Sequence, residues 1–395
     1  MSLIPNSGLE ALHPEIQELI ISHLPTVQSL HSLIRASPRF YQVFRSHKKI
    51  ALSRLLRRQF HAAVLSDALT VVQASQLERP RTRENVVAFL QGFPLKPERV
   101  ESATSISLPD CIALCQLYRK LNFFINDLHQ RSTVLLIQRS PRKVNNPPER
   151  LAMNTVLRSP LSDVEAGRLQ RAFCRFETFR LLFSSPHSTE SPLTVPEQAQ
   201  MFLEAFADWE IEEIACVRDY LVRRLSQVFD QLEDEFVLGV RTGTVGWRRR
   251  TLPDKWDSQH HWFSVSAKDD HASYMETLLS LGLPFLRQVF QSVGEKRKAL
   301  VIHNSENKGN FLTAALTKPN KREFASREYS DAHRSGLMPV FNGDTLQGCN
   351  GGWMWGHAYC LRLMWAEGIM RGLRDWGYVF WDMERLESSG FLDME

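Results

Sequence analysis

Apolar residues recur at helical spacing along most of this chain, and helix-start signals punctuate them. Between residues 108 and 129, Ile112, Cys115, Leu117, Leu121, Phe124 and Leu128 form one amphipathic stripe. Ser162 with Glu165, Thr194 with Glu197, and Ser273 with Glu276 have the capping-box spacing, in which a hydroxyl and a carboxylate satisfy the first free N–H groups of a helix. Alternating strand–helix units are absent, which argues against a doubly wound sheet, and no fixed-period repeat is visible. The expected fold class is mostly α: an N-terminal three-helix module followed by a larger irregular helical domain. The boundary is placed at 1–62 and 63–395.

The N-terminal module reads as three short helices. Pro14 suits a first turn, and Ile16, Leu19, Ile20 and Leu24 share a face until Pro25. Thr26 caps a second helix with Val27, Leu30, Leu33 and Ile34. Ser37-Pro38 opens a third with Phe40, Tyr41 and Phe44. Residues 48–77 continue as helix, striped by Leu52, Leu55, Leu56 and Phe60, and Arg79–Arg83 break it. Residues 139–160, rich in Pro, Asn and Arg, read as a surface loop, and so do 184–192. A helix from Ser162 carries Leu169, Phe173, Phe176, Leu182 and Phe183. Another carries Ile211 to Leu232, with exposed acidic ends at Glu210, Glu212 and Glu213 and at Glu233, Asp234 and Glu235. Beyond Ser273 a helix is interrupted at Gly282-Leu283-Pro284, and residues 303–352 read as loop. A last helix spans about 355–375, stopped near Gly377, with short β pieces at 299–303 and 378–381.

A chain of 395 residues is long enough for a large core, and a net charge of +4 is too small to argue for nucleic acid by bulk attraction. Its six cysteines are irregularly spaced and form no secreted disulfide framework. There is no Asn-x-Ser/Thr acceptor, no basic stretch followed by an apolar run at the start, and no run approaching a membrane span. A reducing cytoplasmic or nuclear setting is expected.

The motifs that would carry chemistry are incomplete. Gly343 and Gly348 have the spacing of a phosphate loop, but Cys349-Asn350 stands where Lys-Ser/Thr is required, so a flexible loop is expected. Cys349, His357 and Cys360, with His333, lack the paired short spacings of a zinc site. Cys111 and Cys115 sit one helical turn apart, an ordinary core placement, and Asp269-Asp270-His271 reads as a polar helix start. Trp256-Asp257 and Trp381-Asp382 are not separated by a blade period. The basic clusters Arg248–Arg250, Lys296–Lys298 and Lys318/Lys321/Arg322 read as solvated faces rather than a nucleic-acid surface. Eight of nine tryptophans lie beyond residue 240, which makes that half a candidate target-binding surface, with Trp365 and Trp376 assigned to the core.

Residues 9–44, LEALHPEIQELIISHLPTVQSLHSLIRASPRFYQVF, resemble an F-box, the small helical module that docks on the adaptor subunit of cullin–RING ubiquitin ligases. His13 takes the place where that module usually has Pro, and Ala36-Ser37-Pro38 replaces its usual basic or cysteine-containing stretch. Downstream, LSDVEAGRLQRAFCRFETFRLLF, FLEAFADWEIEEIACVRDYL and DWGYVFWDMERL are similar to a group of fungal F-box proteins with no assigned target. The resemblance implies a substrate-recognition subunit of an SCF-type ligase, with Leu12, Pro14, Ile16, Leu19, Leu24, Pro25, Leu30 and Leu33 at the adaptor-binding positions. Its partners would be the adaptor, a cullin through it, and an unknown protein target. It implies no catalytic residues, and the incomplete motifs, small net charge and lack of a long apolar run lead to no expected cofactor or metal, nucleic acid or membrane. Two other classes compete: a helical scaffold that no longer binds the adaptor, and an enzyme with a site in 240–380 built on groups such as His260, His261, Asp269 or His333.

Overall fold

Every regular element among the described residues is helical, as the sequence periodicity requires. The structure is a computed structural model that describes residues 8–92, 106–140, 146–184, 191–242, 268–303, 311–316, 341, 343–362 and 372–391. The chain opens with α1 (Pro14–His23), α2 (Val27–Ala36), α3 (Pro38–Ser46) and α4 (Lys48–Gln59). Their starts are chemically defined. Pro14 and Pro38 occupy first turns, where a missing N–H leaves nothing unsatisfied. The Thr26 hydroxyl accepts the Ser29 N–H at 3.0 Å, and the Ser37 hydroxyl accepts the Phe40 N–H at 3.3 Å. Ile21, Leu30, Phe40 and Phe44 turn inward, and Leu52, Leu55, Leu56 and Phe60 of α4 continue the same core.

After a 3-10 turn (Ala62–Val64) come α5 (Leu65–Gln76), α6 (Arg83–Gly92), α7 (Leu108–Arg139), α8 (Pro147–Leu157) and α9 (Asp163–Phe183). α9 is buried almost all round and packs on α5, α7 and the next long helix, α11 (Asp208–Arg241). α10 (Val195–Met201) leads to α11. Phe179 of α9 meets Phe202 edge-on at 5.6 Å and Phe311 at 5.5 Å, and Phe173 meets Tyr220 of α11 at 6.2 Å. The N-terminal helices are tied to this centre by α4, which packs on α7, and by Gln170 of α9. Gln170 donates through Nε2 to the Gln59 carbonyl at 2.7 Å and accepts the His61 N–H at 3.1 Å, so it closes the C-terminal end of α4.

Among the described residues the remaining α-helices are α12 (Lys268–Ser280), α13 (Leu283–Gln291), α14 (Gly294–His303), α15 (Leu312–Leu316), α16 (Gly351–Arg362) and α17 (Met383–Ser389). α16 lies so close to the 3-10 turn Tyr378–Phe380 that a Cβ at Gly352 would sit 2.1 Å from the Tyr378 carbonyl oxygen, so only glycine fits there.

Two capping boxes form as expected. The Ser162 and Thr194 N–H groups donate to Glu165 and Glu197. Ser273 and Glu276 do not form the third, because α12 already begins at Lys268; Glu276 is buried and receives Arg218 at 2.6 Å and the Thr313 hydroxyl at 2.7 Å. Within the expected 139–160 loop, Pro147 and Pro148 start α8, whose Leu157 is fully buried, and α8 packs on α17. The expected strands at 299–303 and 378–381 are replaced by the end of α14 and by a 3-10 turn. The Gly343–Gly348 segment is pinned rather than flexible: Asp344 accepts the Met383 N–H, and the Leu346 carbonyl accepts Arg171. The helix expected over about 355–375 starts earlier, at Gly351, because Asn350 Oδ1 accepts the Trp353 N–H at 2.8 Å, and it is followed by α17. Gly377 does adopt the left-handed conformation, φ 67°.

The acidic start of α11 is an interior feature. Glu213 is wholly buried against Arg171 at 2.5 and 3.0 Å, Glu210 reaches Arg171 and Arg175 at 3.1 Å, and Glu212 holds Arg374 at 2.6 and 2.7 Å. Glu213→Gln strands part of the Arg171 charge in the core and is expected to cost about 3 kcal/mol, read by urea denaturation of the full chain. A second expectation concerns pH. The Arg83 guanidinium, at 2.6 and 2.9 Å, together with the Thr194 N–H and hydroxyl, holds the Glu197 carboxyl down to about 2 from an ordinary 4.5. A depressed carboxylate stabilises the fold fully above its unfolded value and loses that contribution as pH falls toward the folded one. The melting-temperature deficit of Arg83→Gln should therefore be largest near neutrality and shrink as pH falls from 4.5 toward about 2.

Candidate functional site

Two adjoining features of the N-terminal helices stand out: an apolar outer face on α1 and a cationic cleft behind α2. On α1 the inward positions are Gln17, Ile21 and Ser22, at 0%, 2% and 3% exposure. Gln17 donates to the Leu9 and Glu10 carbonyls and so fixes the chain that leads into the helix. Ile16 and Leu19, three residues apart on the opposite side, are 44% and 49% exposed. An aqueous helix normally carries polar groups on its outer face, so this pair is unpartnered apolar surface.

The eight positions named from the resemblance separate by exposure. Pro14, Ile16, Leu19 and Pro25 are exposed, while Leu12, Leu24 and Leu33 are half-buried. Leu24 and Leu33 pack against the core, and Leu30, at 3% exposure, belongs to it. The Leu12 carbonyl accepts Arg39 at 3.4 Å. Glu10 and Ser37 hydrogen-bond across the module, as do His13 and Glu15 at the start of α1. Three further exposed apolar residues of this region, Leu9, Tyr41 and Ile50, are not among the eight adaptor-binding positions; Tyr41 is read from the sequence only as part of the third helix. Each lies beside the recognised motif positions, and solvent exposure is what marks them.

The cleft has a volume of about 520 Å³ and lies between α2, the end of α4, α7 and α13. Arg119 and Arg287 line it together with His31, and among the described residues no carboxylate lines it. Arg287 stacks over Phe123, with its guanidinium carbon 5.2 Å from the ring centroid, and donates to the Arg119 carbonyl at 3.3 Å. At the inner wall Gln59 is only 6% exposed, and neither its amide oxygen nor its amide nitrogen has a partner among the described residues. Sequence reading missed this site because its walls are more than 200 residues apart in the chain, and only the α2 wall lies in the 9–44 motif.

The other candidate chemistry is mostly structural or lies elsewhere. Burial pushes the Cys115 thiol up to about 11 and those of Cys174 and Cys216 well above their ordinary value, which makes them poor nucleophiles. Cys349 is buried; His333 lies outside the described residues, as do the side chains of His357 and Cys360. His260 and His261, the basic clusters at 248–250 and 318–322, and Trp247, Trp256, Trp262 and Trp365 also lie outside them. Arg297 donates to Gln231 and to the Ser292 carbonyl at 2.6 Å, and Lys298 pairs with Glu295 on their own helix. Trp353, Trp376 and Trp381 are 0–1% exposed and fill the core, so these three cannot form a target-binding surface. Among the described residues no helix is long and apolar enough to cross a membrane.

No family model, curated protein or solved structure matches the chain. The exposure pattern gives a direct check on the α1 face. Ile16→Asp should change stability by less than about 0.5 kcal/mol, whereas Leu30→Asp should cost more than about 4 kcal/mol, both read by thermal or urea unfolding.

Proposed function

We propose that the N-terminal helices dock on the adaptor subunit of a cullin–RING ubiquitin ligase and that the chain acts as a substrate receptor. The observation that carries this reading is the outward pair Ile16 and Leu19 on a short, Pro-started helix whose sequence resembles an F-box. Pro14 and Pro25 are exposed at its two ends and Tyr41 on α3, so the apolar surface extends beyond one side chain. Docking of this kind is surface burial without chemistry. Covering an Ile or Leu contributes about 1.5–3 kcal/mol, so each anchor is worth roughly tenfold or more in affinity. The rest of the chain holds the module rigidly through Gln170 and the α4–α7 packing, and it would present the protein target. On this reading ubiquitin transfer belongs to other subunits, the cullin is reached through the adaptor, and the chain works in the cytoplasm or nucleus.

The test is co-purification of the tagged full chain with adaptor and cullin, beside Ile16→Asp/Leu19→Asp. Both changed residues are exposed, so the variant is expected to fold, and its melting curve checks this. Adaptor recovered with the parent and lost from the folded variant is the expected result. A folded parent that recovers no adaptor overturns the reading and leaves the helical scaffold or an enzyme with a site in 240–380.

A further inference from the structure

We propose that the adaptor surface which receives α1 carries a rim of carboxylates facing α4, so that docking is steered by charge. This inference rests on the docking reading above and adds the chemistry of the partner. Charge is unevenly distributed along the chain. Residues 19–66 hold eight Lys or Arg and no Asp or Glu. With His neutral that run carries +8, against +4 for the whole chain, so the remainder is net acidic. A modest overall charge therefore conceals a strongly basic module.

The fold places these cations on the surface and beside the apolar pair. On α4, Ile50, Arg54, Arg57 and Arg58 fall on one exposed face, opposite the buried Leu52, Leu55, Leu56 and Gln59. α4 packs against α1, and Glu18 marks the seam, 3.8 Å from Arg54 and from His47. Leu19 follows Glu18 on α1, so the apolar pair borders this basic face. Among the described residues no carboxylate pairs with Arg57 or Arg58, whereas Arg168, Arg171 and Arg175 of α9 each find one. An apolar patch with a cationic edge has the anatomy of a protein interface, whose partner offers apolar surface to α1 and carboxylates to α4. A nucleic-acid backbone would answer the charge and leave Ile16 and Leu19 uncovered. The exposed Glu15 carboxylate beside Ile16 disfavours an anionic lipid surface.

The experiment measures association and dissociation rates of the purified full chain with purified adaptor at about 0.02 and about 0.5 M salt, between which the screening length falls from roughly 20 to roughly 4 Å. Association of the parent should slow about tenfold or more across this range. Arg57→Glu/Arg58→Glu changes two exposed residues and should not lower the melting temperature. It should slow association about tenfold at low salt and leave dissociation within about twofold. If the parent binds adaptor at a rate that neither salt nor charge reversal changes, the acidic rim is wrong and the docking reading stands. A parent that binds no adaptor overturns both. A short labelled DNA duplex and vesicles of mixed phosphatidylserine and phosphatidylcholine are run beside the adaptor. If the double substitution abolishes binding to either and leaves adaptor association unchanged, the basic face has another occupant and the proposal falls. If the double variant does not fold, the salt response of the parent decides.

Discussion

The structure depends on arginines that have no access to water. Arg168, Arg171 and Arg175 lie three and four residues apart on α9 and are 1–4% exposed. Each finds its carboxylates on other elements. Arg168 takes Asp382 at 2.8 Å and Asp344 at 3.4 Å, Arg171 takes Glu213 and Glu210, and Arg175 takes Asp67 at 2.8 Å and Glu210. Burial disfavours the Arg175 charge, yet Asp67 and Glu210 hold it protonated, and Arg175 and Arg171 in turn draw the Glu210 carboxyl below its ordinary value. Such pairs add little net stability over a well-packed apolar core, but breaking one leaves an uncompensated buried charge. Their effect here is to specify neighbours: α5, α11 and the segments leading into α16 and α17 must each bring a carboxylate to one helix.

The same logic extends to the C-terminal end. Arg385 of α17 pairs with Glu165 at 2.8 Å and donates to the Leu157, Ser159 and Pro160 carbonyls, and so welds the first turn of α9 to the end of α8. With the polar interactions directed inward, the packing of the N-terminal helices falls to Phe60, Gln170 and the α4–α7 contact. That arrangement covers the inner side of α1 and leaves Ile16 and Leu19 outside. It also creates the cleft, because α2, α7 and α13 converge around the C-terminal end of α4 without filling the space beside Gln59.

Much of the helical architecture was legible because helix signals are local. Pro14, Thr26, Ser37-Pro38, Ser162 and Thr194 each act within four residues, and the stripes of α4, α7, α9 and α11 follow from 3.6-residue periodicity. Misreadings arose where a local signal has two meanings. Paired prolines at 147–148 suggest a loop, yet they start a helix when the preceding residue is extended, as Asn146 is. Ser273 and Glu276 have capping spacing, yet the same spacing inside a helix serves other bonds. Glu210, Glu212 and Glu213 look solvated because nothing near them in sequence is basic; their arginines come from α9 and from Arg374.

Sequence alone determined where helices begin, which stripes face inward, and which short N-terminal segment resembles a docking module. These depend on hydrogen bonds and periodicity within a few residues. Tertiary structure alone decided which motif residues remain exposed, since Leu30 and Ile16 are equally apolar in sequence and differ only in what packs on them. It also decided that the acidic start of α11 is interior and that Gln59, Arg119 and Arg287 share one cleft. The pairs of Arg171 with Glu213 and of Arg168 with Asp382 join residues 42 and 214 positions apart, and no local pattern encodes them.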